Sequence, residues 1–182
     1  MELCRKLFIG PVIAFTVLTT CIACSTQHTQ SGAVDFATGT GEDWVVLPFR
    51  NHSQTPLAAE RAEWLVVSAM RAGNMTALSK IVEAQAGDGP FPLVDDSQRY
   101  ELALSRAKAS GFKYGISGSV EEWRYKSGLD GEPAVGMTLR VVDIESGATA
   151  WSASGARSGW SRESLTGNAQ KVIAKLVAPL LE

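Results

Sequence analysis

The stretch Val135-Gly136-Met137-Thr138-Leu139-Arg140-Val141 alternates apolar residues with small or polar ones. A period of two is the signature of a strand with one face in a core, because successive strand side chains point to opposite sides. Working backwards, Ser127 to Pro133 carries turn chemistry. Before it, Phe112 to Tyr125 is another strand, with Ile116, Gly118 and Val120 on one face. Working forwards, Glu145-Ser146-Gly147-Ala148 makes a tight turn and Thr149 to Arg157 returns as a third strand. Three strands joined by short turns form an antiparallel meander.

Such a sheet needs helices to cover it. Leu165, Ala169, Val172, Ile173, Leu176, Val177 and Leu180 recur at helical spacing as one stripe, with Gln170, Lys171 and Lys175 facing water. Upstream, Thr55-Pro56 places a cap residue before a proline at the first helical position. Leu57, Ala58, Ala62, Leu65, Val66, Ala69 and Met70 then form an inner face, with Glu60, Arg61 and Glu63 on the other side and Gly73-Asn74 as the stop. A further helix starts at Asp96 or Ser97 and runs to about Ser110, with Leu102, Leu104 and Ala107 inward and Gly111 ending it. Trp44-Val45-Val46-Leu47-Pro48-Phe49 reads as a buried central strand. Met75 to Ala84 fits a helix or a second strand, Gly87 to Pro92 is a loop, and Leu93-Val94 suggests a short strand end. The order is β-α-(β)-α-β-β-β-α: an α+β fold, helices packed on a mostly antiparallel sheet.

The N-terminus sets the compartment. Arg5 and Lys6 precede the apolar run Leu7 to Leu18, which leads into Thr19-Thr20-Cys21-Ile22-Ala23-Cys24. Basic, apolar and small residues in that order are a secretory signal. The run is shorter than the ~20 apolar residues of a membrane span. A cysteine at the cleavage point resembles the lipobox of bacterial lipoproteins. Cleavage before Cys24 places Ala23 at the small position; cleavage before Cys21 places Thr20 there. The small Ala23 favours lipidation of Cys24, and the Cys21 register stays open. Ser25 resembles an outer-membrane sorting signal. Residues 1–23 are thus expected to be a lipoprotein signal peptide, and 24–42, rich in Ser, Thr, Gly and Gln, a lipidated flexible tether. Residues 43–182 follow as a single periplasmic α+β domain.

Charge and residue inventory exclude several functions. Removing Glu2, Arg5 and Lys6 with the signal moves the net charge from −2 to −3. That is no nucleic-acid footprint, which needs a basic patch. With only Cys4, Cys21 and Cys24 in the chain, acylation of Cys24 leaves the domain no disulfide. Nucleophilic catalysis needs a base beside Ser or Cys. The two histidines are His28 in the tether and His52 in a loop beside Ser53, and adjacent residues rarely make a dyad. A structural zinc site needs about four ligands, mostly Cys and His, and the domain lacks them. Asp95-Asp96 and Glu121-Glu122 are acidic pairs that read as solvated surface. The expectation is a protein that is no enzyme and uses no metal or cofactor.

Of the five tryptophans, Trp44, Trp64, Trp123 and Trp151 sit on expected strands or a helix and read as core or sheet packing. Trp160 differs. It lies in Arg157-Ser158-Gly159-Trp160-Ser161-Arg162, a polar turn between the last strand and the last helix. An exposed tryptophan among arginines suits a membrane interface, where one end of the ring is apolar and the other wet. Tucking under the neighbouring helix is the structural alternative.

Val45-Val46-Leu47-Pro48-Phe49-Arg50-Asn51 and Thr55-Pro56-Leu57-Ala58-Ala59-Glu60-Arg61-Ala62-Glu63 together resemble the opening of the PelC family, lipoproteins of the Pel exopolysaccharide secretion system. Glu122-Trp123-Arg124-Tyr125-Lys126, Gly128, Trp151-Ser152 and Gly159-Trp160-Ser161-Arg162-Glu163-Ser164-Leu165 extend the resemblance to the C-terminus. The strand with its Pro-Phe-x-Asn end is shared with related outer-membrane lipoprotein folds, including the curli pore and activators of cell-wall synthases. The resemblance implies a dodecameric homo-oligomeric ring on the periplasmic face of the outer membrane, lipid-anchored in its inner leaflet beneath a β-barrel exporter. It implies that Trp160 seats the ring on the membrane. It further implies an acidic surface steering a cationic polysaccharide, for which Asp130, Glu132, Glu121 and Glu122 are the candidates. A monomeric activator docked on a cell-wall enzyme stays open as the alternative. A curli-type pore needs lipid-facing strands of ~10 residues, and no spare amphipathic hairpin offers them.

Overall fold

A computed structural model describes residues 26–31, 40–41, 43–81, 95–127, 131–160 and 162–182. Its elements, in chain order, are β1 (Thr26–Ser31), β2 (Trp44–Val46), β3 (Arg50–Asn51), α1 (Ala58–Ala72), β4 (Ser79–Lys80), α2 (Asp96–Ala109), β5 (Tyr114–Tyr125), β6 (Pro133–Asp143), β7 (Thr149–Ser158) and α3 (Leu165–Val177). A single 3-10 turn, Ala178–Leu180, closes the chain. The signal segment, Cys21, Cys24, the loop at Gly87 to Pro92, Leu93-Val94 and Asp130 lie outside the described residues.

The meander is present as expected: β5, β6 and β7 pair antiparallel in sequence order. The sheet continues beyond it on both sides, in the order β1-β7-β6-β5-β2-β4, with β3 beside β5. The α+β class holds, but the sheet is mixed rather than nearly all antiparallel. β2 runs parallel to both β4 and β5, and β3 parallel to β5. Parallel neighbours need long crossovers, and α1 and α2 fill them. Within the open stretch Met75 to Ala84, Ser79–Lys80 forms the short strand β4, and residues 82–84 lie outside the described residues.

Thr26–Ser31 is a correction. This polar stretch, read as tether, pairs with β7 from Thr26 opposite Arg157 to Ser31 opposite Ser152. It has no apolar alternation to betray it, because its ladder and paired hydroxyls such as Ser31 Oγ to Ser152 Oγ at 2.9 Å hold it to the edge.

Adjacent residues of β2 enter different cores, since strand side chains alternate. Trp44 and Val46 face α1 and α3 together with Val66, Ile116, Trp123, Met137, Leu139, Trp151, Ile173 and Leu176. Val45 faces the other way, joining Leu47, Ile144 and the α2 residues Ala103 and Ala107. Full burial of an Ile, Leu or Met side chain stabilises by roughly 1.5–3 kcal/mol, so the larger cluster dominates. A bulge between Val120 and Glu122 keeps Val120 and Trp123 both inward and leaves Glu121 and Glu122 outside the core.

Helix details depart from the pattern. α1 begins at Ala58 behind Leu57, which is exposed in the left-handed region at φ 58°. Thr55 does not cap it; its hydroxyl donates instead to the Trp123 carbonyl of β5. Glu63, expected outside, is 1% exposed. Its carboxylate accepts from the Phe49 backbone N–H at 2.9 Å and from Lys80 Nζ at 2.7 Å, so it ties α1 to the end of β2 and to β4. Desolvation raises its pKa, against the lowering pull of Lys80 and Phe49. Trp64 and Leu102, both expected inward, point outward.

Candidate functional site

One end of the sheet gathers the residues singled out for function. β5 ends there at Tyr125, β6 begins at Pro133, β7 ends at Ser158, and α3 starts at Leu165. The antiparallel pairing of β1 brings Thr26 to the same end.

Trp160 caps this end, 59% exposed. The structure chooses the open ring over a tucked one. Its turn is nevertheless held from several sides. Gly159 N–H donates to the Pro133 carbonyl at 2.8 Å, and Glu163 N–H donates to the Trp160 carbonyl at 2.9 Å. Arg157 Nε donates to the buried Asn168 Oδ1 at 2.7 Å, and its guanidinium lies 3.4 Å from Glu163. Lys171 Nζ pairs with Glu163 at 2.6 Å. The lysine's hydrogen bond, with further help from Asn168 and Arg157, pulls the Glu163 pKa from 4.5 to about 2. Gly159 is required by space: a Cβ there would strike the Glu163 carboxylate and the Asn168 amide. Ser164 caps α3 by accepting from Gly167 N–H at 2.9 Å. A large apolar ring is thus presented on a pinned turn, an arrangement that pre-organises contact with an interface at little entropic cost.

Tyr125, 52% exposed, stands at the same end, and its hydroxyl accepts from Leu165 N–H at 3.2 Å. Nothing in the sequence pattern singled it out, because a tyrosine ending a strand is ordinary.

Of the acidic candidates, the described Glu121, Glu122 and Glu132 lie near this end too, and two of these three are matched by cations. Glu122 pairs with Arg124 at 2.9 Å and Glu132 with Lys126 at 3.8 Å. Glu121 accepts from the Ser119 hydroxyl at 2.5 Å and forms no ion pair among the described residues. His52 is exposed, and the neighbouring Ser53 hydroxyl donates to Asn51 Oδ1 at 2.7 Å, so the two do not form a nucleophile–base pair here. No group of three or more His, Cys, Asp or Glu could hold a metal among the described residues.

Comparison with solved structures finds proteins similar to this chain in sequence and fold. A PelC dodecamer from Paraburkholderia phytofirmans is 33% identical, with a TM-score of 0.71, covering 86% of this chain and 98% of that one. A single-residue variant of the same dodecamer matches at the same identity and coverage with a TM-score of 0.69. Lipoprotein GNA1162 from Neisseria meningitidis is 18% identical over 74% of this chain and 94% of that one, at a TM-score of 0.47. Neither the protein-family models nor the curated protein sequences yield a match.

Proposed function

This chain belongs to the PelC family, and on that premise we propose that it is a lipid-anchored, non-enzymatic secretion component. Copies of it form a dodecameric ring on the periplasmic face of the outer membrane. The ring guides a cationic exopolysaccharide of the Pel type to a β-barrel exporter. The observation that carries the reading is 33% identity along 98% of a chain whose solved form is a dodecamer.

The parts take the following roles in this reading. The signal peptide is removed and Cys24 carries the lipid. Trp160 seats the ring in the interface, where an aromatic ring gains from one apolar and one wet side. Guidance needs no bond-making. Repeating a small acidic patch around a ring focuses a potential larger than one subunit's, and salt screens it over ~8 Å at physiological ionic strength. Glu121, Glu122, Glu132 and Asp130 remain the acidic candidates. Glu121 has the freest carboxylate of the three described, since Arg124 and Lys126 offset the other two.

The test is twofold. Lipidated full-length protein in detergent should show the native mass of a ring. Cells lacking it should make the polymer but fail to export it. A solitary protein, or undiminished export, overturns the proposal.

A further inference from the structure

We propose that Arg50, Arg140 and Tyr100 form a binding site for a phosphate group, where the flank of α2 meets the sheet. The site is separate from the Trp160 end and does not depend on the ring reading.

The strand register puts the two arginines on one face. Val45 and Leu47 pack under α2, and Val45 lies opposite Gly115 of β5. Alternation then places Ser117 and Ser119 on that same face. Arg140 of β6 lies opposite Ser117, and Arg50 of β3 lies opposite Ser119. The arginines thus flank β5 from its two sides. Their backbones stand two strand spacings apart, roughly 10 Å, and one rung apart along the strands, roughly 7 Å. Two long side chains leaning inward across β5 can close that gap upon one small anion.

α2 brings the third donor. Asp96, at its start, accepts from the Asn51 backbone N–H at 3.0 Å, next to Arg50. Tyr100 follows one turn later on the same side of the helix. It packs with Ala103 and Ala107 against the Val45 and Leu47 face. Tyr100 therefore sits beside β5 at the level of the two arginines. Its ionisation reports the same neighbours: burial raises the Tyr100 pKa, Arg140 lowers it, Glu101 raises it and Arg50 lowers it.

These three donors lack acceptors. Neither guanidinium, nor the Tyr100 hydroxyl, has a hydrogen-bond or ion-pair partner among the described residues. The acids close by are engaged elsewhere: Asp96 with Asn51 and with Arg99 at 3.3 Å, and Glu121 with the Ser119 hydroxyl. Arginine is suited to oxyanions because its fork of N–H groups makes charge-assisted bonds to them. A planar carboxylate is satisfied by one bidentate arginine. Donors arriving from two strands and a helix come from three directions, which suits the tetrahedral oxygens of a phosphate.

The experiment uses lipidated full-length protein in detergent, treated with the arginine reagent phenylglyoxal and read residue by residue by peptide mass spectrometry. Inorganic phosphate should slow modification of Arg50 and Arg140 and leave Arg61 and Arg106, exposed on α1 and α2, as reactive as in chloride of equal ionic strength. Acetate should protect neither. Arg140→Gln should abolish the protection of Arg50, and Arg50→Gln that of Arg140. Tyr100→Phe, which keeps the ring and its packing, should weaken both, with unchanged circular dichroism. Two further arms locate the phosphate. Protection by glycerol phosphate points to a soluble phosphate ester. Protection that rises when the protein is placed in phosphatidylcholine vesicles carrying phosphatidic acid, over vesicles without it, points to a lipid headgroup. Equal protection of all four arginines, or none by inorganic phosphate, overturns the proposal and leaves the ring reading untouched. Acetate protecting as well as phosphate also overturns it, since the site is then a general anion surface.

Discussion

Thr26 lies directly opposite Arg157 in the β1–β7 ladder, three residues before Trp160. On the proposed reading, in which Cys24 carries the lipid, the anchor would therefore attach next to the Trp160 end, since two extended residues span at most about 7 Å. An anchor so close would limit how the domain can tilt on a bilayer. Cys24→Ser should move the protein from the membrane fraction to the soluble one, read by fractionation and fatty-acid labelling. Label persisting in Cys24→Ser and vanishing in Cys21→Ser would instead place the lipid on Cys21.

With the anchor removed, Trp160 becomes measurable by itself. In a Cys24→Ser background, Trp160→Ala should leave the melting temperature unchanged, because the ring packs on little of the core. Vesicle binding should fall. Equal vesicle binding with and without the indole would exclude a seating role for it.

Gly118 marks a close approach in the sheet. A Cβ there would run into the Thr138 carbonyl of β6, with the Phe49 ring 3.1 Å away on the other side. Backbone cannot swing aside as a side chain can. Gly118→Ala should cost about 2 kcal/mol, within the range for overpacking, or roughly 4–8 °C in melting temperature for a domain of this size. Gly136→Ala is the contrast: its nearest neighbours lie 3.6–3.8 Å from the added carbon. Equal losses at the two positions would contradict this account.

Much of this was legible beforehand, for a physical reason. The β6 alternation and the α3 stripe are periodic, and periodicity reports burial directly. What stayed hidden was held by polar bonds. β1 is joined by its ladder and not by apolar contacts. Thr55 looks like a cap until β5 arrives to take its hydroxyl. Glu63 looks solvated until Lys80, seventeen residues later, comes within 2.7 Å. Trp64 and Leu102 read as core because an exposed apolar residue looks the same in sequence as a buried one. At the candidate site, Trp160 stood out by its polar neighbours, while Tyr125 did not.

The Glu63–Lys80 pair should be costly to break from one side. Lys80→Met leaves a buried carboxylate without its cation, a change that typically destabilises by about 3–5 kcal/mol. The pH dependence gives a sharper check. Burial raises the Glu63 pKa above 4.5, so the folded state holds that proton at pH values where the unfolded chain has lost it. The carboxyl's contribution is then most favourable at low pH and declines as pH rises through that window. Without Lys80 the folded pKa climbs further. The stability gap between Lys80→Met and wild type should therefore narrow on acidification from pH 7 to pH 4. A gap that widens in acid would mean that Lys80 acts through something other than this carboxylate.

Glu163 behaves in the opposite sense. Lys171, Asn168 and Arg157 hold its folded pKa at about 2, below its ordinary 4.5. Between those values the unfolded chain binds the proton and the folded one does not, so stability rises with pH. The contribution is complete above about pH 4.5 and is lost as pH falls toward 2. Glu163→Gln removes the titration while keeping the shape. Wild type should melt higher than Glu163→Gln at pH 6, with the difference shrinking below pH 4.5 and vanishing near pH 2. Because Glu163 also donates its N–H to the Trp160 carbonyl, the same variant reports on the turn. Its vesicle binding should stay at the wild-type level if the backbone bonds alone hold Trp160, and should fall toward that of Trp160→Ala if the ion pairs are needed. A melting difference that is constant from pH 6 to pH 2 would show that the carboxylate contributes nothing through its charge.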